Sequence, residues 1–475
     1  AFAMGFDTAD ETDETDLFAA TDEDAFARSR FGVVGLKHNL ILDPNTYVRT
    51  VISASTAANR FFTDRYFNQD TPEEFIIDKY NDFDNADYRY TLSSFVNRKF
   101  NAKLTARAGI LLENQQSNLF AQDREDRPDR DGDGIPDLGT LYDFDEGMNL
   151  VQAFVQTQYR LSSQWTLNTG LHGQWLTLND AYALEPRVAI NWSPSPKHRF
   201  NLGYGLHHQT VPLPILLLRE DVGDGVFAET NRDLDFTRSN HFVLGYDSKF
   251  SPEWRAKVEV YYQVISNVPV ESTPSSFSIL NVGADFGFPT DVNSLVNEGT
   301  GRNYGLEFTL EKFFSRGYYG LLTASVFDSK YEGSDGIERN TAFNNGYVIN
   351  LLAGKEWNFG KSRKNAFTID TKFTYAGGRY YTPVDLESSR LAGVEQLKEE
   401  LAFSERYTPY LRLDLKLGVK FNSNTKKLSH QFYLDFQNLT NRENIFVRRY
   451  NRQTNEVNEV FQTTFFPDFL YRIQF

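Results

Sequence analysis

From Leu411 the chain reads Leu-Arg-Leu-Asp-Leu-Lys-Leu-Gly-Val-Lys-Phe. Leu411, Leu413, Leu415, Leu417, Val419 and Phe421 therefore share one side of an extended strand, while Arg412, Asp414, Lys416 and Lys420 share the other. Only a period of two separates these residues, because a helix of 3.6 residues per turn would spread the charges around its circumference. The pattern recurs. Trp254, Ala256, Val258, Val260, Tyr262 and Val264 alternate with Arg255, Lys257, Glu259, Tyr261 and Gln263. Tyr304, Leu306, Phe308 and Leu310 alternate with Gly305, Glu307, Thr309 and Glu311, and Trp165, Leu167 and Leu171 with Thr166, Asn168 and His172.

Alternation of this kind fits a soluble antiparallel sandwich or a membrane barrel with a wet lumen. The connections favour the barrel. Short ones fall at Asp43 to Asn45, Arg98 to Phe100, Leu161 to Ser163, Ser193 to Lys197, Phe250 to Pro252, Phe314 to Arg316, Lys361 to Lys364 and Asn422 to Lys427. Between them lie long polar stretches, roughly 58–85, 118–147, 210–236, 267–300 and 378–405. Short turns at one end and long loops at the other are the outer-membrane barrel pattern, and a sandwich has no reason for it. About 17 strands fit between these connections, with Ala1 to Phe6 reading as the upper part of one more. The expectation is an all-β chain, a transmembrane antiparallel β-barrel of about 17–18 strands that occupies residues 1–475 and is N-terminally incomplete.

Composition agrees. Aromatics make up 15% of the chain, Phe 41 and Tyr 25, while Cys is absent, which removes disulfides and thiol chemistry. The longest strongly apolar run, Val211 to Leu218, is far shorter than the roughly 20 residues of a spanning helix. A mean hydropathy of -0.49 does not argue against a membrane, since a barrel puts only alternate residues into lipid. A net charge of -15 argues against a nucleic-acid partner.

Glu185, Pro186 and Arg187, followed by Val-Ala-Ile-Asn-Trp, resemble the "EPR" strand of TonB-dependent receptors. Asn303-Tyr304-Gly305-Leu306-Glu307 resembles another of their barrel stretches, and Asn438, Leu439 and Asn441 sit in a segment that resembles their penultimate strand end. The chain closes on an alternating strand, Phe469, Tyr471, Ile473 and Phe475, similar to the terminal signal read by the outer-membrane assembly machinery. Together these identify residues from roughly 30 onward as the barrel portion of a TonB-dependent receptor.

The resemblance implies a barrel of about 22 strands around an N-terminal plug, set in outer-membrane lipid and pulled by the TonB complex. It also implies uptake of a nutrient such as a siderophore, cobalamin, oligosaccharide or peptide, bound by the long loops and lumen. This chain has no plug-like segment and about four strands fewer than that pattern. A plugless passive porin and a surface adhesion or scaffold barrel are the competing readings.

No metalloprotease, phosphate-loop or serine-hydrolase motif occurs, so no enzyme is expected. His207 and His208 are adjacent on a strand, a spacing that sends side chains to opposite faces and suits no metal. Asp129, Asp131, Asp133 and Asp137, with Gly132 and Gly134 between them, have the alternate-carboxylate spacing of a calcium loop, so Ca2+ is the one cofactor expected, in the acidic extracellular loop 118–147. Thr140 stands where an EF-hand would place its bidentate Glu, and the plain alternative is a solvated acidic loop. The acidic run from Asp7 to Asp24 reads as a surface loop, and Leu391 to Leu401 as a short loop helix. Arg187, Glu259, Glu307, Arg412 and Asp414 face the lumen by alternation.

Overall fold

The computed structural model describes residues 2–4, 23–68, 72–124, 129–130, 132, 134–218, 220–221, 227–283, 294–423, 427–452 and 454–475. One sheet dominates. It has 19 strands, of which Phe2–Met4 and Glu338–Asn340 are three residues long, leaving seventeen longer ones among the described residues.

These are β1 (Glu23–Asp43), β2 (Thr46–Phe67), β3 (Phe75–Lys99), β4 (Leu104–Asp123), β5 (Gly139–Arg160) and β6 (Trp165–Leu176). Then come β7 (Ala181–Ser195), β8 (His198–Gln209), β9 (Thr237–Ser251), β10 (Trp254–Glu271), β11 (Leu295–Ser315) and β12 (Tyr318–Glu332). The last are β13 (Tyr347–Phe359), β14 (Asn365–Ala376), β15 (Tyr410–Asn422), β16 (Ser429–Gln437) and β17 (Phe466–Gln474). Each pairs antiparallel with the next, so the sheet is a single up-and-down meander. Among the described residues no pairing joins β17 to β1, and all of β17 is exposed.

The two faces differ in the way alternation predicts. Leu202, Leu244, Val260, Leu306 and Val326 lie directly opposite one another across β8 to β12 and are all exposed. On the neighbouring row Asn201, Gly245, Glu259, Glu307 and Ser325 face the other way. An exposed row of aliphatic side chains five strands wide is unfavourable in water and favourable in lipid.

Aromatic rows border it. Trp165, Trp192, Phe200 and Tyr246 stack across four strands at 5.5, 5.1 and 4.8 Å near the turn end. Phe421, Phe432 and Tyr471 continue such a row on β15 to β17. Trp175 and Tyr182 are exposed at the opposite end of β6 and β7. Ten residues separate Trp165 from Trp175, about 33 Å along the strand and about 25 Å across a membrane once strand tilt is included. No helix is long and apolar enough to cross a membrane among the described residues, which leaves spanning to the strands.

Several boundaries differ from the sequence reading. The 58–85 stretch is mostly strand, with β2 running to Phe67 and β3 starting at Phe75. The 118–147 stretch narrows to residues 124–138 between β4 and β5. The loop helix lies at Leu386–Ala392, capped by Asp385 at its start and by left-handed Gly393 at its end, while Glu399–Leu401 is a single 3-10 turn. The acidic run expected as a loop lies mostly in residues 5–22, outside the described residues.

The loop after β8 turns inward. Pro212 precedes a helical turn, Leu213–Leu216, and Val211, Leu213 and Ile215 to Leu218 pack against Leu119, Tyr142, Phe144, Met148 and Leu176 on the inner face of β4 to β6. Burial of each such aliphatic side chain contributes roughly 2 kcal/mol. Asn179 fixes the loop's return by donating to the Arg232 and Leu234 carbonyls at 3.1 and 2.8 Å.

Candidate functional site on the lumen wall

Alternation along β7 sends Ala183, Glu185 and Arg187 inward while Tyr182, Leu184 and Val188 are exposed on the outer face. Glu185 is only 2% exposed and pairs in register with His172 of β6. His172 holds Nδ1 2.8 Å from Glu185 Oε2 and Nε2 3.0 Å from Gln152 Oε1 on β5. Arg187 Nη2 donates to the same Glu185 oxygen at 2.6 Å. Gln174 Nε2 and the His208 backbone N–H donate to Oε1 at 3.1 and 2.6 Å.

Those four contacts use the capacity of the carboxylate. Glu185 therefore has no oxygen free for a ligand or for proton transfer. It ties β6, β7 and β8 together, and through His172 also β5, as a buried and paired charge must. Arg187 is less committed, since its Nε is buried and has no hydrogen-bond partner among the described residues.

The regular pairing of β7 with β8 ends at Arg187 and Gly205. Beyond it the two adjacent histidines diverge in a way the sequence could not show. The His207 ring packs on His241 with centroids 4.7 Å apart, and the His208 ring lies against Phe236 with Nδ1 3.5 Å from Glu185. Among the described residues no three His, Asp or Glu side chains converge as metal ligands.

The other expected residues are dispersed. Glu259 and Glu307 oppose each other on the inner face of β10 and β11, with Lys257 paired to Glu259. Arg412 donates to Asp414 at 2.7 Å, and Asp414 also accepts the Asn438 N–H at 2.8 Å. Asn438 is buried at φ +47°, with its amide donating to the Arg442 carbonyl and its carbonyl oxygen accepting the Arg442 N–H. Asn441, also at positive φ, accepts the Phe465 N–H. Leu439 is exposed, and its N–H donates to the Leu413 carbonyl. This motif builds the turn that ends β16. Pro186 faces outward, and Phe475 ends the chain 93% exposed.

Asp131 and Asp133 lie outside the described residues. The Asp129 carboxylate accepts the N–H groups of Gly132 and Gly134 at 2.7 and 2.8 Å, and Asp137 lies 3.7 Å from Arg130.

Two long loops at the mouth clasp each other through polar contacts. Arg379 and Arg390 donate to the carbonyls of Phe446 and Asn455 at 2.7 and 2.8 Å, and Glu395 accepts from Arg449 and from the Tyr450 N–H. Tyr381 stacks on Tyr407 at 4.2 Å and accepts from Arg448.

Open meander, outward aliphatic rows, aromatic borders and a polar inner wall define a membrane barrel. The sequence matches the family described as TonB dependent receptor-like, beta-barrel, over residues 2–439, and the chain belongs to that family. It is thus a β-barrel of the bacterial outer membrane. A search of curated protein sequences finds no match.

Solved structures share the fold at low identity. The outer membrane transporter YddB from Escherichia coli aligns with TM-score 0.65 and 11% identity over 96% of this chain and 64% of its own. The pyoverdine receptor FpvA from Pseudomonas aeruginosa PAO1 aligns with TM-score 0.65 and 11% identity over 95% and 62%. The RagAB peptide importer aligns with TM-score 0.56 and 12% identity over 88% and 59%. The chain spans less than two thirds of each of these proteins.

Proposed function

We propose that this barrel forms the channel of an importer that takes up a nutrient through the outer membrane with energy supplied by the TonB complex. Family membership carries the reading, and the polar inner wall beneath a loop-built mouth supports it. Structures of the same fold include a pyoverdine receptor and a peptide importer, so iron chelates and peptides head the substrate classes to test. The role is transport rather than catalysis, with substrate held first by the loops. In this reading the energy-coupling contact runs through a plug segment, and the strand ending at Phe475 is the part that the barrel-assembly machinery engages. Calcium ordering of loop 124–138 belongs to the same proposal, tested by calcium-dependent and chelator-reversible protection from protease.

The test of transport is accumulation of iron chelates, cobalamin, oligosaccharides and peptides by cells with and without a working TonB complex. One class should accumulate only when the complex works. Equal uptake without it identifies a passive porin, and no uptake of any class identifies an adhesion or scaffold barrel.

A further inference from the structure

Where β11 to β14 reach their short turns, the charge of the molecule reverses. In a chain of net charge -15, the turns Ser315 to Gly317 and Gly360 to Lys364 hold Arg316, Lys361, Arg363 and Lys364 and no acidic residue. All four cations are exposed. Above them on β13, Lys355 alternates outward with Leu351, Trp357 and Phe359, all three exposed on the lipid side. Each of β10 to β14 is paired on both sides, and these side chains point away from the lumen, so nothing inside the barrel covers them.

Lys355 pairs in register with Tyr318 of β12. Its Nζ stands 5.0 Å from the Tyr318 ring and 6.0 Å from that of Trp357, and donates to the Arg316 carbonyl at 3.1 Å. An ammonium carried past aromatic rings toward a turn is the geometry of a lysine reaching for the headgroup level of a bilayer. The acids closest in sequence and register are committed elsewhere. Glu253 takes Lys312 at 3.2 Å, while on the inner face Glu356 accepts from Lys420 at 3.1 Å and Asp370 from the Tyr319 hydroxyl at 2.7 Å. One step toward the membrane centre Gly320 and Ala353 oppose each other on the outer face, and a Cβ at Gly320 would meet only ordinary contacts at 3.7 and 3.9 Å. These small residues leave room beside Lys355 for more than a bare ion.

We propose that this corner of the outer wall is a headgroup site for an anionic glycerophospholipid of the periplasmic leaflet. Lys355 binds the phosphate, the glycerol lies over Gly320 and Ala353, and the four turn cations draw anionic lipid to the site. Each Lys or Arg held at an anionic surface adds about fivefold to affinity.

Photocrosslinking of the full-length protein in phosphatidylethanolamine vesicles tests this. Photoactivatable phosphatidylglycerol and phosphatidylethanolamine with the same acyl chains are compared at equal amounts, and adducts are mapped by peptide mass. Segments 312–322 and 351–359 should take the anionic probe at least about fivefold more often than the zwitterionic one, and added salt should lower the preference. The wall around Tyr182 and Leu184, at the other end of the strands, should show none. Lys355→Gln should lower the ratio about fivefold, and adding Arg316→Gln, Lys361→Gln, Arg363→Gln and Lys364→Gln should leave it near one, with unchanged heat-modifiable gel mobility. Equal labelling by the two probes in the unsubstituted protein overturns the proposal, as does a preference that survives all five substitutions. Erasure of the preference by an equal amount of soluble glycerol phosphate also overturns it, because the cations then serve a soluble anion.

Discussion

Across β8 to β12 the row Leu202, Leu244, Val260, Leu306 and Val326 and the adjacent row Asn201, Gly245, Glu259, Glu307 and Ser325 share the same strands and the same ladder of backbone hydrogen bonds. They differ only in which way the side chain points. Backbone pairing therefore cannot explain why one row is aliphatic and the other polar, and the surrounding medium must: lipid outside, water and buried polar contacts inside. Stability on the outer row is bought by keeping charge away, and on the inner face by pairing buried charge, as the four contacts of Glu185 do.

The largest expected effect strikes the inner side. Glu185→Ala leaves His172, Gln174, Arg187 and the His208 N–H without their acceptor. Loss of a partner from a buried ionic network costs about 3–5 kcal/mol. Urea titration of the protein in vesicles, followed by gel mobility, measures it, and a change below about 1 kcal/mol would mean the network is not formed. On the outer row, Leu244→Arg should cost about 2–4 kcal/mol if it sits near the bilayer midplane, while Ser325→Arg on the inner row should stay below about 1 kcal/mol. Equal costs would erase the distinction between the faces.

The loops extend the contrast. Leu216, fully buried between the inward loop and the wall, should lose about 2–4 kcal/mol of local packing on substitution by Ala and expose residues 210–236 to protease, leaving the strands intact. The smallest effect concerns Asp335, which Arg339 grips through both oxygens at 2.9 and 2.6 Å. The hydrogen bonds from Arg339 hold its carboxyl below the ordinary carboxylate value. Its contribution is therefore complete above about pH 5, a unit over the ordinary carboxylate value, and is lost as pH falls through the lowered value. Hydrogen exchange in residues 332–347 should be flat from pH 7 to 5, once corrected for intrinsic rates, and should quicken below that in wild type but not in Asp335→Asn.

The barrel class was legible because Leu411 to Phe421 and its counterparts put opposite chemistry on opposite faces, a signal that survives without any knowledge of pairing. The signal fades where strands leave the membrane. Residues 58–85 resemble a loop because Asn59, Asp64, Asp78, Asp82 and Asp84 place polar groups on both faces, yet the β2 to β3 ladder continues through most of them. The inward loop was visible only as a short apolar run, since sequence does not say what Leu213 and Leu216 pack against. The helix at Leu386–Ala392 starts earlier than apolar spacing implied because Asp385 caps it and Gly393 stops it. At the candidate site, Glu185 and Arg187 were legible as a motif and His172 as an inward residue. Their convergence was not, because it depends on the register of β6 against β7 and on β8 separating from β7 beyond Gly205. The motif at Asn438 and Asn441 was legible as well, but its work in building a turn rests on backbone angles that one sequence does not reveal.

The chain contains no cysteine, so single cysteines introduced at successive positions 258 to 264 of β10 can carry spin labels without background. Collision rates with lipid-soluble oxygen and with a water-soluble nickel chelate, measured in vesicles, test most directly whether the two faces meet different solvents. Residues 258, 260, 262 and 264 should favour oxygen and residues 259, 261 and 263 the chelate, with a period of two. Chelate access at all seven positions, or no periodicity, would contradict a membrane-spanning wall.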